Sequence, residues 1–173
     1  MPVVRPLRVV VAPDSFKGTF SSVVVAGALA EGWSTMRPAD DVVLTPMADG
    51  GEGTLDAIEA SGGWKRHTLA AKDPRMRTLS ASFLCADRRA VVEMASASGL
   101  SRVPAGERDA MAASTFGTGQ ILAAAIEAGG RDIVIGFGGS ATTDGGAGLL
   151  EACLLYTSPR PTRPPLLSRM PSS

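Results

Sequence analysis

The apolar positions follow two periods along the chain. LRVVVAP (residues 7–13) is a short β-branched run closed by Pro13 and Asp14, which reads as a buried strand. DSFKGTFSS follows as a loop. From Ser21 or Ser22, either of which can cap a helix, Val25, Ala28, Leu29 and Trp33 recur at helical spacing, and Pro38 ends that segment. DVVLTPM predicts a second strand, ADGGEG its exit loop, and Leu55 and Ile58 a helix that stops at Gly62 and Gly63. Strand, loop and helix, twice over, predict a parallel sheet covered by helices.

The middle of the chain has another rhythm. RTLSASFLCADRRAVVEMAS (77–96) predicts two strands around the polar turn at 87–89, an antiparallel hairpin. A lobe boundary is expected at Lys72, Asp73 and Pro74, giving a first lobe over 1–72 and a second over 73–152. GLSRVPAGERD reads as a surface loop. In STFGTGQILAAAIEAGG, Ile121, Leu122, Ala125 and Ile126 share one helical face, and Gly129 and Gly130 end the helix. RDIVIGF is then a strand, GGSATTDGGAG a loop, and LLEA the start of a helix. No repeat of fixed period is present.

At Cys153 the character changes. CLLYTSPRPTRPPLLSRMPSS holds five prolines and no acidic residue. It reads either as a Pro-rich disordered tail or as non-native sequence. CLLYTSP resembles the translated end of a transposase-type sequencing adapter, and SRMPSS resembles the index end of the same oligonucleotide. The expectation is that 153–173 is a non-native tail with no part in function.

Composition narrows the classes. Hydrophobic residues are 45% and charged residues 20%, which suits a globular chain rather than a disordered one. The formal net charge is zero, so neither nucleic acid nor an anionic membrane is an expected partner. Two cysteines, Cys85 and Cys153, and one histidine, His67, supply neither a structural metal site nor a disulfide framework, and a reducing cytoplasm is the expected location. The apolar N-terminal run is too short for a signal peptide, and no stretch is long enough to span a bilayer. Cys85 reads as core and His67 as a surface strand residue. Glu93, in an apolar context, is either buried and paired or turned to a site.

The candidate chemistry lies in three glycine-rich loops at strand C-termini, where ligands bind in open α/β sheets. They are PDSFKG, MADGGEGT and GGSATTDGG. Glycines let backbone N–H groups approach an anion, helix N-termini add positive potential, and lysine adds a mobile charge. Carboxylates can take a proton or hold Mg²⁺. This is the parts set of phosphoryl transfer. Each residue also has a plainer reading: Asp14 and Asp49 as turn residues, Lys17 as solvated, Glu52 as a first-turn helix residue. The hydroxyls of Ser140, Thr142 and Thr143 beside Asp144 are harder to treat as turn chemistry alone. No P-loop, no G-x-G-x-x-G after the first strand and no G-x-S-x-G is present, and the GTG at 117–119 is too short to count. The missing dinucleotide fingerprint disfavours a nicotinamide-dependent oxidoreductase. A non-catalytic module that binds a small hydroxy acid or phosphate stays as the alternative.

Five segments together resemble the N-terminal part of bacterial glycerate kinases of the type-one, glycerate 2-kinase-like family: VVVAPDSFKGTFSSVVVAGALAEG, TPMADGGEGTLDAI, VVEMASASGL, STFGTGQILAAAIEAG and DIVIGFGGSATTDGGAGLLEA. The resemblance implies two α/β lobes around a cleft, the first with a Rossmann-like parallel sheet and the second only begun here. It implies an ATP-dependent, Mg²⁺-requiring cytoplasmic kinase that converts glycerate to 2-phosphoglycerate. Carried over by motif, Lys17 would steady the transferred phosphate, and Asp49 or Asp144 would act as base or metal ligand. Asp14, Ser15, Gly50, Gly51, Glu52, Gly138, Gly139 and Ser140 would bind substrate or phosphate, the amides of the last three cradling an anion. Family members are much longer than this chain, so the fragment by itself is expected to be inactive and to expose apolar surface.

Overall fold

The computed structural model describes residues 5–153. The expected tail lies outside the described residues except for Cys153. The architecture is α/β, built on two sheets.

The first sheet is the predicted parallel pair, β1 (Arg8–Val11) beside β2 (Asp41–Leu44), registered from Arg8 opposite Asp41 to Val11 opposite Leu44. Helix α1 (Ser22–Met36) makes the crossover. Of the two candidate caps, Ser21 is the one used, its Oγ accepting the Val24 N–H at 3.4 Å. Asp40 fixes the far end by accepting from Leu7 N at 3.0 Å, Trp33 Nε1 at 2.9 Å and Arg37 Nε at 2.6 Å. Its hydrogen bonds to the Arg37 guanidinium, foremost, hold its carboxyl well below the usual carboxylate range. The apolar stripe expected on α1 is only half covered: Val25 is buried, whereas Leu29 and Trp33 are exposed.

The second sheet has the order β3 (Lys65–Lys72), β4 (Thr78–Ala86), β5 (Arg89–Glu93), β6 (Asp132–Gly136). The β4–β5 hairpin is antiparallel, as predicted. The β3–β4 pair is also antiparallel, from Lys65 opposite Cys85 to Lys72 opposite Thr78, and β5–β6 is parallel. The segment expected as a lobe boundary is therefore the turn of a hairpin. Asp73 Oδ1 accepts from Arg75 N and Arg77 N, both at 2.8 Å, and Asp73 Oδ2 from Arg77 Nε at 2.6 Å, which closes that turn. The change of sheet falls before Lys65. The apolar pattern does not announce β3 because only Ala71 of its eight residues is buried. No helix among the described residues is long and apolar enough to cross a membrane.

Alternation along the strands builds two cores. On one face Ala81, Phe83, Ala90 and Val92 pack with Ala97 of the short helix α3 (Ala95–Ser98) and with Ile121 and Ala125 of α4 (Phe116–Glu127). On the other, Leu84 and Val91 pack with Leu55 of α2 (Thr54–Ala60), which is how the first segment reaches across to the second sheet. Cys85 sits at the edge of the first of these cores, and the His67 ring stacks on Phe83 with centroids 5.1 Å apart.

The GTG at 117–119 now has a physical reason. A Cβ on Gly117 would lie 1.8 Å from the Lys72 carbonyl oxygen, and one on Gly119 2.4 Å from that of Leu149. These glycines let α4 lie against the end of β3 and against α5 (Ala147–Ala152).

Candidate functional site

The loops after β1, β2 and β6 are those singled out from the sequence, and two of them meet backbone to backbone. Gly138 N donates to Gly50 O at 2.9 Å. A Cβ on Gly136 would lie 2.5 Å from Gly50 O, and one on Gly138 2.5 Å from Gly51 N. The glycines of ADGGEG and GFGGS thus serve first to let the loops touch one another. Gly50 also takes φ +88°, a conformation in which other residues are strained. The Gly138 amide, expected in an anion cradle, is engaged here with Gly50 O.

Above this contact lies a cleft of ≈580 Å³. Of the expected site residues, Ser15, Lys17, Asp49, Gly51, Glu52 and Gly139 line it. Lys17 Nζ stands 4.0 Å from Asp49 Oδ2, with both side chains largely exposed. The Gly51 N–H donates to Asp49 Oδ1 at 2.9 Å, which orients the carboxylate. Glu52 precedes the helix rather than opening it: Gly53, at φ +88°, is the N-cap and α2 begins at Thr54. Its carboxylate is therefore a loop group on the cleft wall.

The remaining expected residues do not line the cleft. Asp14 Oδ1 accepts the Ser15 N–H, a local turn bond, at 2.6 Å. Ser140 Oγ accepts from Thr142 N at 3.1 Å and holds its own loop. Asp144 is bound into the frame. Its Oδ2 accepts from Thr115 N and Thr115 Oγ1 at 2.8 Å each and from Gly148 N at 3.2 Å, and its Oδ1 from Gly146 N at 3.1 Å. Burial alone would raise its pKa, but these bonds outweigh burial and hold it below the usual carboxylate range. A carboxylate that accepts four protein donors locks α4 to α5 and is poorly placed to take up a substrate proton.

Sequence reasoning missed Ser101 and Arg108 on the cleft wall, which fell in what reads as a plain surface loop. No local signal marks them; the fold brings them to the same cleft as Lys17 from far along the chain. It left two readings open for Glu93, and the structure shows it buried and bonded. Glu93 is buried, and its Oε2 accepts the Leu55 N–H at 3.0 Å, capping α2 from β5. It also lines a polar recess with Glu52, Asp56, Arg66 and Arg102. Burial pushes its pKa up, the Leu55 amide opposes this, and the charges of Asp56 and Glu52 raise it further.

A raised carboxyl favours the folded state most when protonated. Stability is expected to fall as pH climbs from the ordinary value of 4.5 through the folded one. Glu93→Gln should flatten that slope, as read from thermal midpoints between pH 4 and 8. Equal slopes in the two proteins would show that Glu93 is not the titrating group.

Among the described residues, no group of three or more His, Cys, Asp or Glu is placed to hold a metal ion. Mg²⁺ needs less of the protein: one or two carboxylates, with substrate phosphates completing the shell. Asp49 and Glu52 on one wall fit that requirement.

Known proteins resemble this chain in sequence and in fold. The glycerate 2-kinase of Escherichia coli (strain K12) is 43% identical over 149 residues, covering 84% of this chain and 39% of that protein. A glycerate kinase of Halalkalibacterium halodurans is 43% identical over 146 residues, covering 83% of this chain and 38% of that protein. A solved structure from Salmonella typhimurium LT2, provisionally assigned as glycerate kinase 2, superposes with a TM-score of 0.74 at 38% identity, over 86% of this chain and 40% of that one. The chain thus spans about 39% of the length of the curated relatives it matches. The profile of the glycerate kinase family matches residues 9–156, and on these grounds the chain belongs to the glycerate kinase family.

Proposed function

We propose that the chain is the N-terminal part of an ATP-dependent kinase that transfers a phosphoryl group to glycerate, giving 2-phosphoglycerate, in the cytoplasm. The observation that carries this is the gathering of Lys17, Asp49 and Glu52 on one cleft at the ends of the parallel strands. Phosphoryl transfer asks the protein for positioning and charge stabilisation more than for covalent chemistry. Lys17 supplies a mobile positive charge for phosphate oxygens. Asp49, oriented by the Gly51 amide, is the acceptor for the proton of the attacking hydroxyl. Mg²⁺ on Asp49 or Glu52 would neutralise phosphate charge. Asp144 acts by holding α4 and α5.

Because the chain covers a minor share of its relatives, the test is a chimera in which residues 9–152 replace the corresponding part of the Escherichia coli relative. Glycerate-dependent ADP release is expected from the chimera. Lys17→Met and Asp49→Asn should each lower kcat by roughly 100-fold or more, in the range of a lost general base or charge stabiliser. A folded chimera that binds glycerate without turnover would support the binding-module alternative. Full activity in Asp49→Asn would remove its role as base.

A further inference from the structure

The loop that carries Asp49 and Glu52 leads straight into α2, and the second sheet holds both. Gly138 N bonds the loop at Gly50 O. Glu93, the last residue of β5, holds the helix: its Oε2 accepts the Leu55 N–H at 3.0 Å. Glu93 stands opposite Gly136 of β6, whose carbonyl accepts the Met94 N–H at 3.0 Å, so the strand end that presents it is itself tied down. Arg66 of β3 grips the same helix from outside, donating to Asp56 Oδ1 at 2.7 Å and Glu59 Oε2 at 2.9 Å. Those partners are 52% and 38% exposed, and exposed pairs hold weakly.

Helix α2 has no side-chain cap of its own. A side-chain cap comes from an N-cap residue with extended backbone. Gly53 fills that position instead with left-handed backbone, and the turn leaves Glu52 outside the helix, on the cleft wall. The first amides of α2 must then find acceptors elsewhere. The loop keeps its shape, and capping passes to a carboxylate from another sheet. That carboxylate is buried, which costs free energy that a solvated cap does not. A helix of seven residues gives no reason for so costly a cap; the loop in front of it does.

We propose that Glu93 is a positioning residue for phosphoryl transfer: by holding the first turn of α2 it fixes, through Thr54 and Gly51, where the Asp49 carboxylate stands in the cleft. The inference rests on the kinase reading and adds how that carboxylate is aimed. The connection is a short run of bonds. Thr54, buried and next to Leu55, donates to Gly51 O from Oγ1 at 2.8 Å and from N at 3.2 Å. The amide of the same glycine donates to Asp49 Oδ1 at 2.9 Å. A displaced first turn therefore carries Gly51 with it, and Gly51 carries Asp49. Glu93 lines the recess and not the cleft, so it acts through this run rather than on substrate.

In the chimera, Glu93→Ala should lower kcat roughly 10-fold or more, as small misplacements of a reacting group do, and leave the glycerate KM within about twofold. Glu93→Gln keeps an oxygen for the Leu55 amide and should recover most of that loss. Ile121→Val lies in the core on the opposite face of the second sheet. It gives a destabilised protein with α2 untouched, and its kcat per folded molecule should not change. In the 173-residue chain, amide exchange reads the same bonds without turnover. Scaled to Val92 of the same protein, the Gly51 amide should exchange roughly 10-fold faster in Glu93→Ala than in wild type. Glu93→Asp, one methylene short of the Leu55 amide, serves in both measurements if Glu93→Ala does not fold.

A kcat that stays within about threefold in folded Glu93→Ala, an equal loss in Ile121→Val, or a loss confined to KM would overturn the proposal. So would Gly51 exchange that keeps pace with Val92 in every variant. A loss as deep in Glu93→Gln as in Glu93→Ala would give the ionised carboxylate a direct part and overturn positioning. A chimera without turnover before any substitution at Glu93 would sink the kinase reading. Gly51 exchange would then still decide whether Glu93 fixes the Asp49 carboxylate.

Discussion

Gly138→Ala is expected to pull the two glycine loops apart and to destabilise the fold by about 3 kcal/mol, at the upper end of overpacking costs. The added methyl would lie 2.5 Å from Gly51 N and 2.7 Å from Gly51 Cα, with backbone on both sides and no flexible side chain to give way. Gly136→Ala meets Gly50 O in the same way. Gly53→Ala is the informative control. Gly53 has φ +88° but nothing within 4 Å of an added methyl, so only backbone strain of about 1 kcal/mol is expected there. Denaturant midpoints of the three variants would order the effects. A Gly138→Ala protein as stable as Gly53→Ala would show that the loops are not in contact. In the chimera, Gly138→Ala should also cost activity out of proportion to lost folded protein, because it displaces Asp49, two residues from the clash.

Asp144→Ala should be nearly as costly, by about 3 kcal/mol, because it strands the amides of Thr115, Gly146 and Gly148 and the Thr115 hydroxyl. Asp144→Asn keeps one acceptor oxygen but turns an NH₂ toward donors, so about 2 kcal/mol is expected. The sign of the pH dependence follows from the lowered pKa. The stabilisation is present above the ordinary value of 3.8 and fades as pH falls through the folded one. Wild type and Asp144→Asn should therefore differ in thermal midpoint at pH 7 and converge in strong acid. A variant with unchanged stability but abolished turnover would return Asp144 to the chemistry.

Much of this was legible in the chain because the two elementary periods are clear where elements are buried on one side. β1, β2, the β4–β5 hairpin and the helices of Val25 and of Ile121 all follow from them. β3 was not legible: one face carries Lys65, His67, Leu69 and Ala71 and the other Arg66, Thr68, Ala70 and Lys72, so no clear apolar period marks it. At Lys72, which reads as a boundary, the structure has a hairpin turn within one sheet. Asp73 and Pro74 are good linker residues and good hairpin residues alike, and only the partner strand decides between them.

The site was legible as loops and not as roles. Glycine next to a carboxylate signals a special backbone, which is correct for Asp49 and for Asp144. Whether that backbone serves a ligand or another loop depends on contacts between residues near 50 and near 138. Arg108 and Ser101 gave no signal because a lone polar residue in a loop acquires meaning only from what lies across a cleft.

The bond from Gly138 N to Gly50 O has one more consequence. Among the described residues it is the one backbone hydrogen bond between the segment before Lys65 and the rest of the chain. Opening of one unit from the other breaks it while leaving the ladders within each sheet intact. Its amide proton should then exchange with solvent deuterium at the rate of undocking, whereas that of Val92, in the middle of the second sheet, waits for deeper unfolding. A single amide resonance thereby separates hinge motion from loss of fold.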